Sequence, residues 1–148
     1  MCSSDLVVPD VTAQMNLLKK VEIHDATLRD GEQTPGIVFS VEDKIAIAEK
    51  LAEVGVERIE AGMPAVSEPD FEAIKKISKL GLKSKIFTFA RAMNADMDKA
   101  LECGAHGVII EVPIGFPKLQ WQFKWTWEDV LRKSVDAVNY AKIGRAHV

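Results

Sequence analysis

Cysteine and histidine are scarce in this 148-residue chain, two of the first and three of the second. Cys2 and Cys103 make neither a disulfide framework nor a metal knuckle. Long apolar runs are also missing. The longest apolar stretches reach five or six residues, counting Gly and Pro, far short of a membrane span. No basic cluster breaks a composition of 19 Lys+Arg against 22 Asp+Glu, net −3, so neither nucleic acid nor a membrane is an expected partner. Met1-Cys-Ser-Ser-Asp-Leu6 lacks the charged and apolar regions of a signal peptide, which makes the cytoplasm the expected compartment. With 9 Gly, 6 Pro, 47% hydrophobic and 28% charged residues, the chain is not low-complexity and is long enough to bury a core.

Codon arithmetic links the two ends. Ile143-Gly-Arg-Ala-His-Val148 can be written ATC GGA AGA GCA CAC GTC. The reverse complement of the first five codons, GTG TGC TCT TCC GAT, reads Val-Cys-Ser-Ser-Asp, the start of this chain if GTG initiates as Met. An inverted repeat of this kind is what an appended adapter leaves. Residues 1–6 and 143–148 are therefore expected to be a non-native leader and tail around a partial domain, 7–142.

Between them, strand and helix signals alternate. Val21–Asp25, Val56–Glu60, Ser84–Phe89 and Gly107–Val112 read as strands. Ser40 with Asp43, and Ser67 with Asp70, carry helix-cap chemistry, the second with Pro69 in the first turn. Gly55 and Gly81 are expected to stop those helices. Asn94 opens a third helix towards Cys103, a buried helix-end thiol. Thr126 and Asp129 cap a fourth, with Val130, Leu131, Val135, Val138 and Tyr140 as its apolar residues. Residues 7–20 carry a weaker helix signal. Four strand–helix units imply a parallel sheet, either a small open doubly wound domain or the first half of a (β/α)8 TIM barrel. Four units between suspect ends favour the half barrel.

Barrel chemistry sits just past the C-terminal ends of strands. The first such place holds Arg29 and Asp30 side by side, then Gly31 and Gln33. Asp is a natural oxygen ligand for a hard metal, and Arg can fork onto a carboxylate or an enolate oxygen. An Arg–Asp salt bridge in a polar turn is the competing reading. Glu60, Arg91 and Glu111 end the next strands, each either a site residue or an ordinary ion-pair partner. Gln120-Trp-Gln-Phe-Lys-Trp-Thr-Trp127 reads as a covering loop, a subunit contact or simple packing.

His24-Asp-Ala-Thr-Leu-Arg-Asp-Gly-Glu-Gln-Thr-Pro-Gly36 resembles the first-strand signature of the acyl-CoA Claisen-condensing synthases: 2-isopropylmalate, homocitrate and citramalate synthases. These are pyruvate-carboxyltransferase-type barrels, grouped with the 3-hydroxy-3-methylglutaryl-CoA lyases. The likeness continues through Ile59-Glu-Ala-Gly-Met-Pro64 and weakens towards Lys142. The resemblance implies an N-terminal half of such a barrel, with acetyl-CoA and a 2-oxo acid as substrates, a divalent cation (Mg, Mn or Zn), and a homodimer when full length. It implies that Arg29 stabilises the enolate or keto oxygen, Asp30 ligates the metal, Gln33 contacts the oxo acid and Glu60 shapes its pocket. Arg91 is a further candidate for the substrate carboxylate. The family's late His-x-His metal pair has no counterpart among His24, His106 and His147, so the chain alone is expected to be inactive. Phe89 stands where homocitrate synthases carry His, and Ile114-Gly115 where small hydroxyl residues are usual. Both point to a branched or small apolar 2-oxo acid, as in leucine biosynthesis. A lyase or aldolase of the same barrel superfamily and an open α/β binding module are the alternatives.

Overall fold

The computed structural model describes residues 21–144. The expected leader, the weak helix signal in 7–20 and most of the expected tail lie outside the described residues. Four parallel strands form one sheet in sequential order: β1 (His24–Asp25), β2 (Arg58–Glu60), β3 (Lys85–Arg91) and β4 (Gly107–Glu111). Each is followed by a helix: α1 (Val41–Glu53), α2 (Glu68–Lys79), α3 (Asn94–Glu102) and α4 (Trp127–Gly144). A doubly wound sheet reverses its strand order from a central strand. This one does not, and it has the arrangement of the first half of a (β/α)8 barrel.

Local chemistry sets the helix ends. Ser40 accepts from the Asp43 N–H while Asp43 accepts from the Ser40 N–H, a reciprocal cap that starts α1. Ser67 accepts from the Asp70 N–H at the start of α2. Gly55 (φ 94°) and Gly81 (φ 67°) lie just beyond the last turns, in the left-handed region open to glycine. Thr126 and Asp129 form the same reciprocal pair before α4. Asn94 opens α3 but does not cap it. The Asp96 carboxylate turns back instead and accepts the Arg91 N–H at 3.1 Å.

All four strands differ in their limits from the sequence reading, β4 only by ending at Glu111 instead of Val112. β1 is shorter, because the Ile23 N–H is donated to the Glu57 carboxylate (2.8 Å) and Val21 and Ile23 stay exposed. β2 begins only at Arg58. β3 runs Lys85–Arg91 rather than Ser84–Phe89, with Arg91 at its end paired to Glu111 of β4. α4 buries Val130 and Ala137 but leaves Leu131, Val135 and Val138 exposed, so its packed stripe is narrower than the sequence pattern. The aromatic connection contains a π-helical turn, Lys118–Phe123, in which Trp121 is exposed, and Trp125 stacks on Phe123 at 4.6 Å.

Strand alternation sorts the side chains. Along β3, Ile86, Thr88 and Ala90 are buried on the helix side, and Phe87, Phe89 and Arg91 fall on the other face. The main core joins Leu28, Ile59, Ile74, Ile77 and Ile86 between the sheet, α1 and α2. Each such side chain contributes about 1.5–3 kcal/mol. A smaller cluster of Ala90, Met97 and Ala137 seats α3 and α4. Cys103 is buried at the helix end as expected, and burial first, then the Glu102 charge, pushes its thiol up to about 11. Among the described residues, no helix is long and apolar enough to cross a membrane.

Candidate active site

The turn after β1 is built to project Arg29. Asp25 holds the Thr27 N–H (2.9 Å) and hydroxyl (3.1 Å). The N–H groups of Arg29, Asp30 and Gly31 then converge on the Ala26 carbonyl at 3.1, 2.8 and 3.2 Å. This coil buries Leu28 in the core and sends Arg29 the other way. The Arg29 Nε donates to Glu60 Oε1 at 2.5 Å, and its Nη1 donates to Asp30 Oδ1 at 3.0 Å. Its guanidinium carbon lies 4.5 Å from the centre of the Phe89 ring, a cation–π contact. Glu60 is only 3% exposed, and its second oxygen is 3.4 Å from His24 Nε2. His24 also meets Phe87 edge-on at 5.6 Å. Glu60 of β2, Phe89 of β3 and the neighbouring Asp30 thus hold the guanidinium, and His24 of β1 touches it only through Glu60.

Arg29 lines a cavity of about 180 Å³ with Gln33, Gly62, Met63, Val66 and Phe89. Gly62 adopts φ 133°, which lets the chain leave β2 while its carbonyl accepts the Phe89 N–H at 2.9 Å. The lining also takes in Glu32 and Asp70, so the walls are an apolar side, a guanidinium, an amide and two carboxylates. Drug-sized ligands occupy about 300–1,000 Å³, so this space suits a small ligand, to which Arg29 offers a cation. A larger cavity of about 260 Å³ lies between α3, β4 and the end of α4, lined by Met97, Ala100, Val108, Val138 and Tyr140. It touches none of the ionisable groups above, so the smaller cavity is the candidate site.

The structure unites Arg29, Asp30, Gln33 and Glu60. The Asp30 side chain is 67% exposed and, among the described residues, bonded to Arg29 alone, the salt bridge the sequence had allowed. Among the described residues, no group of three or more His, Cys, Asp or Glu is placed to hold a metal. Asp30 alone is one donor where a hard cation takes about six, so these residues do not make up a metal shell. Arg91 shares the Phe89 face of β3 but does not line the cavity. It grips Asp96 with two bonds, Nε–Oδ2 at 2.7 Å and Nη2–Oδ1 at 2.9 Å. The Arg91 hydrogen bond holds the Asp96 carboxyl below the usual carboxylate range, and Asp96 in turn raises Arg91. His106 lies at the other end of β3, where its Nδ1 accepts the Ile86 N–H at 3.0 Å.

One group escaped the sequence reading. Lys44 of α1 is buried, with Nζ bonded to Glu32 at 2.7 Å and to Asp70. Both carboxylates line the candidate cavity. Burial works to lower Lys44, and the bonds and charges of Asp70 and Glu32 outweigh it, leaving the ammonium above the usual lysine range. The signal was present: Lys44, Ala48 and Leu51 follow the 3.6-residue period of the packed face of α1.

Similar proteins share this part of the chain. A 2-isopropylmalate synthase of Sulfurisphaera tokodaii is 46% identical over 125 residues, 84% of this chain and 32% of that protein. A homocitrate synthase of Methanopyrus kandleri is 42% identical over 135 residues, 91% of this chain and 34% of that protein. An (R)-citramalate synthase of Methanocaldococcus jannaschii is 45% identical over 122 residues, 82% and 25% of the two chains. The chain thus spans about a third or less of the length of these relatives. The HMGL-like family pattern matches residues 20–147, which takes in every strand, every helix and the Arg29 cavity; this chain belongs to the HMGL-like family.

Proposed function

We propose that this chain carries the first part of the active site of a synthase that condenses acetyl-CoA with a 2-oxo acid, of the 2-isopropylmalate synthase kind, in amino-acid biosynthesis. The observation that carries the proposal is the Arg29 guanidinium, fixed by Glu60 and Phe89 at the wall of a small cavity. A guanidinium held before the reaction needs no reorganisation as negative charge grows on an enolate or keto oxygen. In this reading Arg29 stabilises that oxygen and Glu60 orients Arg29. Gln33 donates its amide to the oxo acid. Arg91, steadied by Asp96, is the second cation for a carboxylate on the same sheet face. Met63, Val66 and Phe89 favour a branched or small apolar acid such as 2-oxoisovalerate over the dianionic 2-oxoglutarate.

A divalent cation belongs to this reading, with Asp30 as one of its ligands. The described residues do not complete its shell, so the 148-residue chain by itself is proposed to be inactive, and the full-length protein is proposed to be a homodimer.

The test is ligand binding by saturation-transfer NMR, together with a thiol-release assay. The chain is expected to bind 2-oxoisovalerate more tightly than 2-oxoglutarate, to lose about tenfold in affinity on Arg29→Met, and to release no thiol from acetyl-CoA. Preference for 2-oxoglutarate, or equal binding by the variant, sinks the site. Thiol release that depends on a 2-oxo acid refutes the inactivity.

A further inference from the structure

Between Arg29 and Val38 the chain has no buried residue. This segment holds Arg29 and Gln33, which line the cavity, and Asp30, which is bonded to Arg29. Among the described residues, the side-chain bonds that tie it to the rest of the fold are few. Arg29 reaches Glu60, and Glu32 reaches Lys44 at 2.7 Å while its other oxygen takes the Phe39 N–H at 3.1 Å. Glu32 sits in the middle of the short 3-10 turn Gly31–Gln33. Whatever holds Glu32 therefore sets the height of that turn.

Lys44 holds it from below. Its side chain is 4% exposed and leaves α1 to reach Glu32 on one side and Asp70 on the other. Asp70 is itself fixed, because its N–H rests on Ser67 Oγ (3.2 Å) and its Oδ2 accepts the Ser67 hydroxyl (3.0 Å). One ammonium thus couples the β1–α1 connection to the first turn of α2. Lysine fits this place as a compact point charge with several donors, whereas arginine would need a planar fork of acceptors.

Burial of an ion group is weak support for stability. Here the apolar cluster of Leu28, Ala48, Ile59 and Ile74 already packs α1 and α2 onto the sheet. What the ammonium adds is placement. We propose that Lys44 is the positioning residue of the candidate site, holding the Arg29–Gln33 turn in place over the cavity through Glu32 while anchored on Asp70. Its functional meaning rests on the reading that this cavity takes a 2-oxo acid.

Hydrogen exchange on the 148-residue chain tests the positioning without reference to that reading. Lys44→Met is expected to speed exchange in residues 29–39 by about tenfold, with peptides of β2 and β3 keeping their protection. Lys44→Arg is expected not to restore the loop. An unchanged 29–39 segment, or one already unprotected in the parent chain, overturns the proposal. Should Lys44→Met lose protection throughout, Glu32→Ala decides, since it removes both acceptor oxygens and leaves Lys44 bonded to Asp70. It is expected to loosen the same segment alone, and no change there overturns the proposal.

Titration with 2-oxoisovalerate then separates the two ideas. Affinity is expected to fall about tenfold in whichever variant loosens the turn with its strands intact. A loosened turn with unchanged affinity removes Lys44 from the site. A parent chain whose turn responds to Lys44 but which binds no 2-oxo acid keeps the strut and removes the functional reading.

Discussion

Breaking the Arg29–Glu60 pair from its two ends is expected to cost different amounts, and the difference follows from exposure and remaining partners. Arg29→Met strands Glu60, which is 3% exposed and, among the described residues, keeps only His24, at 3.4 Å, as a side-chain partner. Removing one partner of a buried pair costs about 3–5 kcal/mol. Glu60→Gln leaves Arg29 with 22% exposure, Asp30 at 3.0 Å and the Phe89 ring at 4.5 Å, and the amide oxygen still accepts from Nε. That case lies near the exposed-pair range, about 1 kcal/mol. With a urea slope of about 1.5 kcal/mol per molar, the midpoint should fall by about 2–3 M for Arg29→Met and by less than about 1 M for Glu60→Gln. The double variant Arg29→Met/Glu60→Gln has no stranded charge, so it should be about 1 kcal/mol more stable than Arg29→Met alone. Equal midpoints for the single variants, or strictly additive losses, would refute the claim that Glu60 depends on Arg29.

Two further outcomes are expected. Arg91 lowers Asp96 in the folded state, so this pair contributes stability that is present above the unfolded carboxylate range and lost as pH falls through the lowered value. Asp96→Asn should therefore flatten the acid limb of a stability–pH profile, and an unaltered acid limb would show that the pair carries no such linkage. Gly62→Ala forces φ 133° on a residue with a Cβ and should cost about 1–3 kcal/mol, read as a lowered thermal midpoint. Gly115→Ala, with nothing within 4 Å of the added atom, serves as the comparison and should leave the midpoint nearly unchanged.

Much of the fold could be read along the chain. Ser40 with Asp43 and Ser67 with Asp70 cap where their chemistry says, and Gly55 and Gly81 end the helices. These are contacts over three or four residues, complete within a single turn. The strand limits were less legible, because Ile23 gives its N–H to Glu57 and Arg91 finds Glu111 only across the sheet. At the site, Arg29 and Asp30 announced themselves as neighbours in sequence. Lys44 did not, since a lysine in a helix is ordinarily solvated, and its partners lie 12 and 26 positions away.

The sequence by itself determined the succession of four strand–helix units and the residue types offered at each strand end, since period and capping act locally. Only the tertiary structure decided the pairings: Glu60 under Arg29, Asp96 on Arg91, and Lys44 between Glu32 and Asp70. A carboxylate near the end of an element carries no mark of the cation it will meet. That choice is made when the sheet and helices bring distant charges into a space with little water, where an unpaired one is costly.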